Sequence, residues 1–276
     1  MPELPEVEVV RRGLLHHLPG RRITGLATDG KVLREPVPEA AMKRLLPGTA
    51  ITDVTRRAKY LLIHLDSGAV MIIHLGMTGR LGLHDRNEPP AAHDHVCWSL
   101  DNGMELRLND TRRFGLVKMA APDQAATLEQ TVFRTSGPEP LSPSFDGRYL
   151  HDTARGRALP VKSFIMDTRV VVGIGNIYAN ESLFSAGIRP NRKAGAISLG
   201  RYETLAEKIK TVLERAIACG GSTISDFISA SGENGYFQVH FNVYGKRDKP
   251  CPRCNRLLSH GVIGGRATFF CSKCQR

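Results

Sequence analysis

The chain has 276 residues, 41% of them hydrophobic and 24% charged, a mix that excludes a disordered protein and leaves room for two domains with a core in each. Apolar runs fall short of the ~18 residues that a membrane span needs, and the acidic start Met1-Pro2-Glu3-Leu4-Pro5-Glu6 is no secretory signal, so a cytosolic protein without a membrane partner is expected. A formal charge of +11 suits a polyanionic partner, nucleic acid first, although charge alone fits a merely basic soluble protein equally well.

Residues 2–20 read as a helix, because Leu4, Val7, Val10, Leu14 and Leu18 share one face and Gly20 follows as a stop. Pro2 and Pro5 fit a first turn, where no intrahelical N–H is required, and Glu3 and Glu6, three apart, share a side of it. Apolar strands follow at 59–65 and 69–75 around Asp66-Ser67-Gly68, and at 96–100 and 104–108 around Asp101-Asn102-Gly103. Both are hairpin signals, and together they predict a sandwich or barrel. A Pro-rich stretch from Ser136 to Pro143 reads as an interdomain connection. Beyond it the pattern turns helical. Segments 160–167 and 177–186 flank Val172-Gly173-Ile174-Gly175-Asn176, and a longer helix carries Leu205, Ile209, Val212, Leu213, Ala216 and Ile217 up to Gly220-Gly221.

The strongest chemical signal lies at the end of the chain. Cys251, Cys254, Cys271 and Cys274 form two CxxC pairs, the spacing of a tetrahedral Zn²⁺ held by two knuckles, and a complete four-cysteine shell predicts one structural rather than catalytic ion. Residues 245–276 also hold eight Lys or Arg against the single acid Asp248. Arg266, between the pairs, could reach a phosphate or be a solvated tip. At the other end, removal of Met1 would leave Pro2 as a secondary amine, and a free α-amine with a pKa near ~8 is partly unprotonated at neutral pH. Attack on a sugar C1′ would give an iminium ion, with Glu3 and Glu6 placed to move protons. Taken alone, however, Pro2 suits a helix starter, and the two acids suit partners of the helix dipole.

Six motifs decide between these readings. Pro2-Glu3-Leu4-Pro5-Glu6-Val7-Glu8, Arg56-Arg57-Ala58-Lys59-Tyr60-Leu61, His74-Leu75-Gly76-Met77-Thr78-Gly79, Asp110-Thr111-Arg112-Arg113-Phe114-Gly115, the segment Val172 to Glu181, and Gly265-Arg266-Ala267-Thr268-Phe269-Phe270-Cys271 resemble, in order, those of the formamidopyrimidine-DNA glycosylases. The resemblance implies an α+β protein: a catalytic N-terminal helix and β-sandwich domain over 1–135, a linker over 136–150, a helix-two-turn-helix DNA-binding domain over 151–240 and a four-cysteine zinc finger over 241–276, with damaged DNA bound between the domains. It implies a monomer acting on damaged double-stranded DNA. Oxidised purines (8-oxoguanine and formamidopyrimidines) would be excised, and the strand would be cut by β- and then δ-elimination.

Carried over by position, Pro2 becomes the Schiff-base nucleophile, Glu3 the acid/base beside it, Glu6 a helper, Lys59 a proton donor in β-elimination and Arg266 a phosphate ligand that assists δ-elimination. His74 and Asn176 would grip phosphates, Asn176 from a helix N-terminus, with His93, Arg112, Arg157 and Lys162 as further DNA contacts. Met77, Arg112 and Phe114 would fill the hole that base flipping leaves; without the resemblance Met77 and Phe114 read as core. Two positions depart from the family's pattern: Thr111 stands where Pro is usual, and Gly265 where Gln usually precedes the finger arginine. The alternatives are a sister glycosylase of the endonuclease-VIII type, acting on oxidised pyrimidines, and a non-enzymatic zinc-ribbon DNA-binding protein.

Overall fold

The computed structural model describes residues 2–220 and 241–276; Met1, Gly221 and the rest of 221–240 lie outside the described residues. Those described fall into two compact units, one ending at Arg134 and the other beginning at Thr135 and including the C-terminal segment. Among the described residues, no helix is long and apolar enough to cross a membrane.

The first unit opens with α1 (Leu4–Leu15), shorter than the apolar stripe suggests. Its last turn gives way at His16, and Leu18 is still buried beyond the helix end. Two four-stranded antiparallel sheets follow. One has the order β1 (Ile23–Thr28), β6 (Asp94–Leu100), β7 (Met104–Asn109), β5 (Arg80–Asp85); the other runs β2 (Ile51–Arg57), β3 (Tyr60–Leu65), β4 (Val70–His74), β8 (Leu116–Ala120). A short helix, α2 (Glu39–Leu45), lies between β1 and β2 in sequence. Alternate residues from both sheets, among them Val54, Leu61, Ile63, Ile73, Val96, Trp98 and Leu106, meet Val7, Val10 and Leu14 of α1 in one core. That is the sandwich arrangement. The outer face of β3 and β4 is apolar as well: Leu62, Val70 and Ile72 pack against Leu128, Val132 and Phe133 of α3 (Ala125–Phe133). Burial on both faces explains why these strands read as continuous apolar runs rather than alternating ones.

In the second unit α4 (Gly147–Ala154), α5 (Val161–Met166), α6 (Asn176–Ser185) and α7 (Leu199–Ala218) surround a separate core. Phe145 and Leu150 are fully buried in it. The stretch 136–150 therefore contributes core packing and the start of a helix as well as a connection. The C-terminal hairpin of β9 (Ser259–Ile263) and β10 (Arg266–Phe270) packs with α6 through a small cluster of Phe184, Val243, Leu258, Cys251 and Cys271.

One glycine joins the two loops of the first unit that the motifs single out. Gly76 has φ +63°, and a Cβ there would lie 2.4 Å from the carbonyl carbon of Phe114. The 74–79 and 110–115 loops thus touch backbone to backbone. Gly76→Ala is expected to destabilise the protein by about 3 kcal/mol, from left-handed strain together with a contact that only backbone movement relieves; urea unfolding that shows a change within ~0.5 kcal/mol of wild type would contradict the contact.

Candidate functional site

In the first unit the N-terminal motif is buried at its acidic positions. Glu3 is 0% exposed and Glu6 nearly so, whereas Pro2 is partly exposed. The backbone N–H of Glu3 donates to Glu6 Oε2 at 2.8 Å, half of a capping box at the start of α1. Glu6 therefore has a structural duty at this helix end. Glu8, two residues on, accepts from Arg11 Nη2 (2.8 Å), Arg12 Nε (2.9 Å) and Arg56 Nε (3.1 Å). Burial alone would raise the Glu8 carboxyl, but these hydrogen bonds outweigh it and hold it at about 2. Arg56 in turn donates to the carbonyl of Ala58 at 2.9 Å. Ala58 has φ +54°, so α1, through Glu8 and Arg56, anchors the turn that presents Lys59.

Tyr60, next along, pairs in register with His74, and their rings lie 4.6 Å apart. Nδ1 of His74 accepts the N–H of Gly76 at 2.9 Å and lies 3.2 Å from Arg34 Nη2. Burial, Arg34 and Lys59 together push His74 down to about 3. A neutral ring with its proton on Nε2 is the result, so any phosphate grip by His74 is a neutral hydrogen bond and not a charge pair.

The 110–115 loop is organised by Asp110, fully buried. Its Oδ1 accepts Thr78 Oγ1 at 2.6 Å and the N–H of Arg112 at 3.3 Å, and its Oδ2 accepts the N–H of Gly115 at 2.7 Å. On this support Arg112 stacks over the Phe114 ring at 4.7 Å, and Phe114 is 42% exposed. A large aromatic held out of the core by a rigid loop answers the core reading of that residue; Met77, on the adjoining loop, is partly buried. His93 is exposed, with φ +75°, and its carbonyl accepts the N–H of Asp110 at 3.0 Å. Thr111 occupies the second position of the turn closed by Arg113 N–H to Asp110 O at 3.1 Å, a place that Pro fits but does not monopolise.

In the second unit the finger hairpin is fixed to the helices close to Arg266. The carbonyl of Ala267 accepts Lys162 Nζ at 2.8 Å and Asn176 Nδ2 at 3.1 Å. Lys162 also donates to Thr268 Oγ1 at 2.7 Å, and the N–H of Phe269 donates to Asn180 Oδ1 at 2.8 Å. Asn176, the first residue of α6, and Arg266, exposed at the start of β10, are thereby brought together. Lys162 corrects the expectation drawn from sequence. At 0% exposure its ammonium is committed to the hairpin backbone, which makes it a brace and not a surface contact for DNA. Arg157 is exposed, donates to Thr153 O at 3.0 Å and lies over the Phe164 ring at 5.7 Å. The Gly265 departure has a local cause: Gly264 and Gly265 have φ +56° and +70° in the two-residue turn between β9 and β10, the conformation of a type I′ hairpin.

Sequence reasoning missed Asp110, Gly76, Glu8 and Glu181 as organisers. Glu181 is buried on α6 and accepts the backbone N–H groups of Asn242, Val243 and Tyr244 within 2.9 Å. All four stand inside the quoted motifs, but each depends on a partner 32 to 63 positions away, Thr78 for Asp110, Phe114 for Gly76, Arg56 for Glu8 and 242–244 for Glu181, which spacing does not reveal.

The four cysteines converge with their sulfurs within 4.8 Å of one another. Cys251 and Cys274 are 3.9 Å apart and Cys254 and Cys271 3.5 Å, close to the roughly 3.8 Å sulfur separation of a tetrahedral zinc thiolate. The N–H groups of Arg253 and Cys274 point at the sulfurs of Cys251 and Cys271 at 3.4 Å. At Cys274, burial and the neighbouring sulfurs push the thiol up to about 12. At Cys271, burial is outweighed by the N–H groups of Cys274 and Lys273, and the thiol falls to about 7. The donor set fits one Zn²⁺, and the ion there is structural.

Two measurements check this geometry. Metal analysis should find one zinc per chain, and chelation should release it together with the hairpin's protection from proteolysis; a dialysed protein with none would refute the site. For His74, the folded ring resists protonation down to about 3 while the unfolded ring takes a proton near 6.5. Its contribution is therefore intact above 6.5 and is lost as pH falls toward 3. Tm should fall over that window in wild type and less steeply in His74→Gln; parallel curves would show that His74 is protonated when folded.

Comparison with known proteins agrees with this layout. Residues 1–117 match the formamidopyrimidine-DNA glycosylase N-terminal domain, 136–228 the formamidopyrimidine-DNA glycosylase H2TH domain, and 248–276 a zinc finger found in FPG and IleRS. The chain is 52% identical over 276 residues to the formamidopyrimidine-DNA glycosylase of Xanthomonas oryzae pv. oryzae, and 51% to that of Stenotrophomonas maltophilia, covering all of each chain in both cases. A Lactococcus lactis FPG mutant in complex with Fapy-dG-containing DNA superposes with a TM-score of 0.90 at 30% identity. A MutM in complex with DNA containing carbocyclic 8-oxo-G gives 0.89 at 31%; both alignments cover the whole of either chain. With its buried acidic N-terminal turn, its Asp110-braced loop and its four-cysteine finger, this chain belongs to the formamidopyrimidine-DNA glycosylase family.

Proposed function

We infer that the protein is a base-excision repair enzyme that removes oxidised purines from duplex DNA and then cleaves the abasic site. Full-length membership of the family carries this reading. Solved relatives are complexes with DNA containing carbocyclic 8-oxo-G, Fapy-dG or an abasic site. The zinc-ribbon alternative leaves the match of residues 1–117 without a purpose.

With Met1 removed, the Pro2 nitrogen attacks C1′ and the bond to the damaged base breaks, the base leaving with a proton; protonation of the sugar ring oxygen then lets its bond to C1′ break, giving the ring-opened iminium. Glu3, buried beside Pro2, moves protons between the ring oxygen, the amine and solvent. The resulting iminium acidifies the C2′ hydrogen, so β-elimination breaks the 3′ C–O bond and δ-elimination the 5′ one, leaving phosphate ends. Lys59, on the turn held by Glu8 and Arg56, donates a proton in the first elimination, and Arg266 neutralises the phosphate released in the second. His74, His93, Arg112, Arg157 and Asn176 hold the backbone, and Met77, Arg112 and Phe114 occupy the space of the flipped nucleotide. Lys162 acts through the hairpin. Glu6 serves Glu3 by holding its N–H. A cytoplasmic, nucleoid-associated location follows from DNA as the substrate.

Borohydride should trap the chain covalently on abasic DNA at the N-terminal residue. Pro2→Gly should keep part of the lyase activity, since a primary amine still forms a Schiff base, and a form retaining Met1 should lose it; full activity with Met1 in place would identify another nucleophile. Phe114→Ala should slow cleavage of a lesion in intact duplex by about tenfold or more relative to the same lesion in a single strand, where the flipping cost of a few kcal/mol is largely absent. Equal slowing of both would return Phe114 to a packing role.

A further inference from the structure

His95, on β6, is 1% exposed. Its Nδ1 lies 2.7 Å from Asp29 Oδ2 and its Nε2 lies 2.9 Å from the carbonyl oxygen of Asp110. Both partners have only lone pairs to offer. A neutral imidazole has one N–H and can satisfy one of them, leaving the other nitrogen facing an oxygen lone pair inside the protein. Both contacts form together only when each ring nitrogen carries a proton.

The surroundings suit that state. Asp29 follows the end of β1, with Lys31 Nζ at 3.4 Å from the same oxygen. Burial would raise the Asp29 carboxyl, but the bonds from His95 and the Lys31 N–H outweigh it and keep it ionised. Two further titratable groups of the neighbouring segments are the Asp110 carboxylate, engaged with Thr78, Arg112 and Gly115, and the His93 ring, 6.1 Å away centroid to centroid. Asp94, the preceding position on the strand, is turned instead to Arg107 and Asn109.

Asp110 is the anchor of the loop that carries Arg112 and Phe114. Its N–H is fixed by His93 O and its carboxylate holds three groups of the two loops; its carbonyl, which also accepts Arg113 N–H, is fixed by His95. We propose that His95 is a positioning residue for this loop, a doubly protonated ring that ties the Asp110 backbone to the Asp29 carboxylate and so sets where Arg112 and Phe114 stand. The wedge role of Arg112 and Phe114 given above underlies this proposal. The placement of the wedge then depends on one buried proton. Losing it turns an N–H···O bond into a contact between two lone pairs two residues from Arg112.

The test has a spectroscopic and a kinetic arm. In protein labelled with ¹⁵N-histidine, the two ring nitrogens of His95 should both resonate as protonated at pH 7; one unprotonated nitrogen overturns the proposal. Single-turnover cleavage of one lesion is then measured in duplex and in single strand across pH, so that the pH dependence of the chemistry cancels in the ratio. The duplex-to-single-strand ratio should fall as pH rises in wild type, and the fall should move to lower pH in Asp29→Asn, which removes the anion that holds the proton. In His95→Gln, whose amide cannot donate in both directions, the ratio should be about tenfold lower and independent of pH. Should His95→Gln fail to fold, Asp29→Asn carries the test. A ratio that is flat with pH in wild type overturns the proposal. Phe114→Ala run alongside separates the two ideas. Equal slowing of both substrates in Phe114→Ala removes the wedge and this proposal with it, whereas a selective effect in Phe114→Ala without one in His95→Gln removes the role of His95 alone.

Discussion

A residue proposed to enter DNA cannot be held by its own burial. Phe114 and Arg112 are exposed, so the hydrophobic effect offers them no fixed position and their placement depends on the backbone beneath. Asp110 supplies that support. A buried carboxylate without partners costs several kcal/mol; three hydrogen bonds remove the penalty and at the same time fix the loop, since each donor belongs to a residue of the 74–79 or 110–115 segment. The backbone contact at Gly76 leaves no slack between those segments. Moving one of them therefore means moving both.

The second unit solves a similar problem by different means. The finger hairpin has little core of its own, and Val262 and Leu257 are largely exposed. The cysteine cluster holds its base, and three side chains from the helices, Lys162, Asn176 and Asn180, hold β10 directly behind Arg266. A buried lysine ammonium is costly to desolvate, and here the cost is offset by a carbonyl and a hydroxyl from adjacent residues of the hairpin. Glu181 on α6 gathers the N–H groups of 242–244, so the chain entering the finger is fixed to the helices as well. α6 thus serves as the spine of the unit on which both phosphate-facing candidates, Asn176 and Arg266, depend.

What the sequence reveals follows from how local each cause is. The hairpins at Asp66-Ser67-Gly68 and Asp101-Asn102-Gly103 are legible because turn and strands lie within a few residues, and α7 because its stripe repeats over 20 residues. The cysteine site is legible because each knuckle is four residues long. β8 is not, because its partner β4 lies some 45 positions earlier and its pattern, Leu-Val-Lys-Met-Ala, is too short to separate from a helix. β2 has an exposed edge that dilutes its alternation. Among the site residues, Met77 and Phe114 look like core on composition. The family resemblance, not any period, separates them, because their exposure is set by a carboxylate at position 110. Lys162 carries no local sign that it points inward, so an expectation carried over from the family resemblance sends it to DNA.

The charge distribution gives the same lesson about counting. A net +11 suggests a surface of uncommitted cations, yet several cations near the N-terminal motif are already engaged. Glu8 takes Arg11, Arg12 and Arg56, and Lys162 is spent on the hairpin. His74, which a phosphate would seem to favour as a cation, is kept neutral by burial and by two neighbouring cations. For the proposed chemistry this is an advantage. A neutral His74 can donate a hydrogen bond to a phosphate without adding a further cation beside Arg34 and Lys59. Long-range attraction to DNA can then reside in exposed arginines and lysines, where screening by salt limits it. The groups around Pro2 and Lys59 are held by short, directed hydrogen bonds, whose strength depends on geometry more than on ionic strength.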